Sequence, residues 1–124
     1  MTRTQKLPDA SHPITVTPSG RRIRVSVADT VVADTTQALT LQEADYPPAY
    51  YLPRSAIDPA LLSATATQTY CPFKGDASYV ALDLPTGRVE DAAWTYEQPY
   101  DAVAEIRGHL AFYGDKVTVE VLPA

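Results

Sequence analysis

At 124 residues, with 45% apolar and 20% charged side chains, the chain has the size and composition of one globular domain and lacks the bias of a disordered segment. A net charge of −5 and a pI near 4.8 speak against nucleic acid as a partner, because phosphate backbones are held by clustered Lys and Arg. A single cysteine, Cys71, rules out an internal disulfide and gives no zinc-type cluster with His12 and His109, so a reducing compartment and no metal or other cofactor are expected.

Residues 1–20 carry Pro8, Pro13, Pro18 and Gly20 without clear periodicity and read as an extended arm, frayed at its start, ahead of one β domain over 21–124. The opening residues M-T-R-T-Q-K-L-P-D-A-S-H-P lack the apolar stretch of a signal peptide, and no later run approaches the ~20 residues that span a bilayer. A cytoplasmic protein without a membrane partner is therefore expected. R-I-R-V-S-V-A alternates Ile23, Val25 and Val27 on one face, the period of a half-buried strand. Asp29-Thr30 turns the chain and V-V-A-D returns. Arg21, Arg22 and Arg24 at the start of this hairpin read as a solvated face. L-T-L-Q-E alternates again, with Leu39 and Leu41 on one side. The prolines of Y-P-P-A-Y-Y-L-P forbid a helix and suit an edge strand, whose Tyr46, Tyr50 and Tyr51 either close over the sheet or shield its edge.

Asp58-Pro59-Ala60-Leu61 has an N-cap followed by proline at the first helical position, for about one turn. T-A-T-Q-T-Y, A-S-Y-V-A-L-D-L and R-V-E-D-A-A-W-T-Y read as strands, the last two joined by a turn at Pro85-Thr86-Gly87. Val103, Ile106 and Leu110 at helical spacing predict a helix over 99–107, closed by Arg107-Gly108, with His109 suited to its negative end. L-A-F-Y and the alternating K-V-T-V-E-V-L end the chain. The expected fold is mainly β (α+β): a single twisted, mostly antiparallel sheet, or an open barrel or tent, with one short C-terminal helix.

The chemistry gathers at T-Y-C-P-F-K-G-D-A-S-Y, residues 69–79. Pro72 pre-sets the second place of a turn and Gly75 takes the positive φ that ends it. With Cys71 opposite Asp76, Gln68, Tyr70, Ala77 and Tyr79 share a face that reads as the floor of a cleft, while Val80 and Leu82 face a core. Trp94 and Tyr96, two apart, share one side of their strand. Lys74 reaches Cys71 around the turn and suits an anionic ligand. A lysine beside a thiol favours thiolate, yet no base, second thiol or metal completes a mechanism, so Cys71 is expected to be an ordinary thiol. His12 either folds back as an acid–base group or stays solvated in its arm.

Four ordered motifs, E-A-D-Y-P-P-A-Y-Y-L-P-R, T-Y-C-P-F-K-G-D-A-S-Y, A-A-W-T-Y-E-Q-P and I-R-G-H-L-A-F-Y, together with H-P-I-T-V-T-P-S-G-R-R-I-R-V, make the chain resemble domain-of-unknown-function family 427 over about residues 12–121. The resemblance implies a small, mainly-β, bacterial or fungal domain without an agreed activity. The family is sometimes described as nucleotidyltransferase-like. The residues give that label little support, since neither a Gly-Ser with a following D-x-D nor a G-x-x-x-x-G-K-[ST] loop is present. Asp83, Glu90 and Asp91 read as a solvated acidic hairpin. Two readings of function remain. One is a small-molecule-binding domain, its catalytic capacity open, whose cleft is lined by Tyr70, Tyr79, Trp94 and Tyr96, with Lys74 on an anionic group and Cys71 at the rim. The other is a protein-interaction module, monomeric or homodimeric, using the same aromatic face.

Overall fold

The computed structural model describes residues 4–124. Among them ten strands follow in chain order: β1 (Ile14–Pro18), β2 (Arg21–Val27), β3 (Thr30–Thr35), β4 (Leu39–Glu43), β5 (Ala49–Pro53), β6 (Leu62–Cys71), β7 (Gly75–Leu84), β8 (Gly87–Thr95), β9 (His109–Phe112) and β10 (Thr118–Pro123). They form two antiparallel sheets rather than one. Seven strands run in the order β1-β4-β5-β9-β8-β7-β6, and three in the order β10-β2-β3. The fold is mainly β and neither sheet closes into a barrel.

The alternation of β2 explains the division of the core. Ile23 and Val25 are fully buried and pack with Leu52, Val80, Leu82 and Leu110 of the large sheet. The small sheet thus covers one face of the large one. Its outer face carries Arg22 and Arg24, and Arg22 donates to both carboxylate oxygens of Asp34 at 2.7 and 2.6 Å. The other face of the large sheet holds Leu41, Tyr51, Ala77, Tyr79 and Ala111. Segment 101–106 crosses over it and buries Val103 and Ile106.

That segment corrects the expected helix. Asp101–Ile106 is 3₁₀, and its backbone leaves helical geometry at Val103 (φ −129°, ψ 29°). Val103 and Ile106 are three apart, the repeat of a 3₁₀ turn, which aligns both inward. Leu110, read as the next turn of the same helix, already lies in β9. A six-residue crossing between strands has no length in which α-helical hydrogen bonds could propagate.

The proline-rich segment also differs from expectation. Strand β5 is interior, paired with β4 and β9. Pro47, Pro48 and Pro53 stand at or beyond its ends, which leaves the central N–H groups free for the ladder. The N-terminal arm enters the fold as β1, antiparallel to β4 at one edge of the large sheet. The expectation of a frayed start falls on residues 1–3, which lie outside the described residues. Asp58 caps a 3₁₀ turn over Pro59–Leu61 as expected, its Oδ1 accepting from the Ala60 N–H at 2.9 Å.

Candidate functional site

The loop between β6 and β7 has Cys71 opposite Gly75 and Tyr70 opposite Asp76. This is one residue away from the expected register. The three-residue connection Pro72-Phe73-Lys74 closes with the Lys74 N–H donating to the Cys71 carbonyl at 3.2 Å, and Gly75 follows at φ +109°. A turn followed by a positive-φ glycine is a common way to close a three-residue hairpin. A slip of one residue turns a strand over. Tyr70 therefore faces away from Tyr79, and its hydroxyl meets the Tyr100 hydroxyl at 2.6 Å and donates to the Thr4 carbonyl at 2.8 Å. Thr69 and Cys71 take the side expected for Tyr70, and Thr69 Oγ1 lies 3.0 Å from the Tyr79 hydroxyl.

A cleft of about 200 Å³ opens on this face. It brings together four expected residues, Lys74, Tyr79, Trp94 and Tyr96, and adds Tyr46, Tyr51, Tyr113 and Glu43. Tyr70 and Cys71 do not line it, although Cys71 Sγ is 4.0 Å from Lys74 Nζ. Strand pairing sets Tyr79 directly opposite Trp94. The indole lies 4.5 Å from the Tyr113 ring and stands edge-on to Tyr51, with ring centroids 6.2 Å apart. Its Nε1 donates to the Tyr51 hydroxyl at 3.1 Å, and the Tyr113 hydroxyl donates to that of Tyr79 at 3.3 Å. Burial pushes the Tyr51 phenol up to about 12, partly opposed by the Trp94 donor. Burial, reinforced by the nearby Tyr51 and Cys71, also raises Tyr96. The aromatic wall is thus uncharged at neutral pH and offers hydroxyl groups in an apolar setting.

One side of the cleft is ionic. Lys74 Nζ donates to Glu43 Oε1, and His12 Nε2 lies 2.8 Å from Glu43 Oε2. Burial pushes the Glu43 carboxyl up, but hydrogen bonds from Lys74 and His12 outweigh it and hold the group below its ordinary value. An ionised carboxylate only accepts, so the His12 ring nitrogen is the donor. His12 also stacks on Phe73 at 4.2 Å with 11° between the planes. The arm therefore folds back and ties itself to both β4 and the hairpin loop.

Glu43 and Tyr113 escaped the sequence reading. Glu43 carried a signal, since it continues the Leu39–Leu41 alternation and puts a carboxylate in phase with an inward face. Tyr113 directly follows β9 and carried none. The acidic hairpin is engaged elsewhere: Arg88 pairs with Asp83 and Glu90, and Asp91 accepts from Thr65 and Thr67.

Two antiparallel sheets thus carry an aromatic cleft beside a largely shielded Lys74–Glu43 pair. The chain matches the family described as a domain of unknown function, DUF427, over residues 15–122, and it belongs to that family. No curated protein matches it.

Proposed function

We propose that this protein is a small-molecule-binding domain whose ligand enters the cleft between Trp94 and the Lys74–Glu43 pair. The observation that carries this reading is the cleft itself, a concave space of about 200 Å³ walled by aromatic rings with a few converging polar groups. An engineered apolar cavity of about 150 Å³ accepts a benzene molecule, so a ligand of one ring or similar bulk fits here. Lys74 faces an anionic or electron-rich group of that ligand. Glu43 takes one of the three ammonium donors and leaves others to turn toward the cleft. A free thiol at Cys71 suits a reducing interior, so a bacterial cytoplasmic setting belongs to the same reading.

The experiment is a thermal-shift screen of anionic metabolites against the parent protein and Lys74→Ala. A ligand that raises the melting temperature of the parent is expected to lose that effect in the variant. An undiminished shift would remove Lys74 from the site.

A further inference from the structure

Two of the buried tyrosines in the cleft differ from their buried neighbours in how their hydroxyls are bonded. Tyr96 is 7% exposed, and among the described residues no protein group hydrogen-bonds its hydroxyl. Tyr51 is 1% exposed and accepts from Trp94 Nε1, yet no protein acceptor meets its own O–H among the described residues. The neighbouring phenols are satisfied within the protein, because Tyr113 donates to Tyr79 and Tyr79 meets Thr69. No buried side-chain nitrogen or oxygen among the described residues lacks a hydrogen-bond partner, so these hydroxyls are not orphans of the core; both side chains line the cleft, which leaves their O–H groups available to whatever occupies it.

We propose that Tyr51 and Tyr96 together donate to a carbonyl-type oxygen (a carboxylate, carboxamide or ketone oxygen) on a planar single-ring ligand held against Trp94. This specifies the ligand class and rests on the cleft being the binding site. An oxygen that only accepts uses both O–H groups as donors, whereas a ligand ammonium could use only their oxygens, one of which already accepts from Trp94 Nε1. Burial keeps both phenols protonated, and therefore donating, through the physiological range. The aromatic walls provide the faces for a ring, and Lys74 in the same lining is paired with Glu43, so both charged and uncharged forms of the oxygen are admitted.

The test uses benzoate and benzamide, which carry such an oxygen, and toluene and benzylamine, which do not. Binding is followed by quenching of the single tryptophan, Trp94, with calorimetry as a second readout. Benzoate, benzamide or both are expected to bind the parent more tightly than either control. Tyr96→Phe is expected to weaken that binding by about 3- to 10-fold, the range of one hydrogen bond, without changing the melting temperature. Tyr51→Phe removes the acceptor for Trp94 as well, so its effect is read as the ratio of benzamide to toluene affinity, expected to fall in the same range. Oxygen-bearing probes that bind equally to parent and both Phe variants would overturn the inference and leave the cleft reading standing. Toluene or benzylamine binding as tightly as benzamide would do the same. If none of the four probes binds, the inference is overturned, while the cleft reading is decided separately by the thermal-shift screen.

Discussion

Lys74 in the β6–β7 loop donates to Glu43 at the end of β4, across 31 residues of sequence, and both side chains are largely withdrawn from water, 12% and 14% exposed. The same carboxylate holds His12, so one residue joins the arm, the β4 end and the loop beside the cleft. An ion pair withdrawn from water gains little net energy, but removing one partner strands the other charge. Glu43→Gln is expected to cost about 1–3 kcal/mol in urea denaturation, less than a fully buried pair because some solvent reaches both groups. Adding Lys74→Met should cost much less than the sum of the two single changes, since it removes the stranded ammonium. Strictly additive losses would show that the two residues do not act as a pair.

How far the sequence made this legible depends on the kind of information needed. The period of two in β2, β4 and β8 is local, and it correctly placed Ile23 with Val25, Leu39 with Leu41, and Trp94 with Tyr96. The register of the β6–β7 hairpin depends on whether the loop holds three residues or four. Pro72 and Gly75 are compatible with both. The choice of four put Tyr70 on the cleft face, where the structure has Thr69 and Cys71. The Glu43 contact lies beyond any local pattern, because it arises when β4 and the hairpin are brought together by strands between them. The 3₁₀ crossing was misread because spacings of three and four fit Val103, Ile106 and Leu110 equally well until the start of β9 is known.

Tyr51 links the cleft to alkaline stability. Its phenol ionises near 10.0 when exposed and is pushed up to about 12 in the fold by burial. A raised value means that the neutral form is favoured by folding. The stability it reflects is complete below pH 10 and is lost as pH rises toward 12, where the unfolded chain ionises and the folded one resists. Denaturation midpoints are therefore expected to fall steadily between pH 10 and 12. Tyr51→Phe should lessen that slope, whatever its stability at neutral pH. Parallel curves for the two proteins would show that Tyr51 is not protected from ionisation.

Gly75 is a position where the loop tolerates only glycine. Its φ of +109° disfavours any side chain, and an added Cβ would lie 3.4 Å from the Gln98 carbonyl oxygen. Gly75→Ala is expected to destabilise the protein by about 1–2 kcal/mol, combining backbone strain with that close approach. Because Lys74 precedes it and the Lys74 carbonyl accepts from the Tyr100 N–H at 3.0 Å, the change should also weaken ligand-induced thermal shifts. A variant as stable as the parent would mean that the loop relaxes at no cost.

The thiol at Cys71 is half-buried beside a cation that is already committed. Lys74 Nζ lies 4.0 Å from Sγ, a distance at which an unpaired ammonium would stabilise thiolate. The Glu43 carboxylate already pairs with that ammonium. Slow alkylation by iodoacetamide at pH 6 is therefore expected for the parent protein. Glu43→Gln should release the lysine and accelerate labelling at pH 6 and 7 by several-fold, while Glu43→Gln with Lys74→Met should return it to the slow rate. Labelling is compared with the rate in denaturant, so that greater exposure of a loosened loop is separated from greater thiolate character. Fast labelling of the parent at pH 6 would show instead that the loop holds an activated nucleophile despite the ion pair.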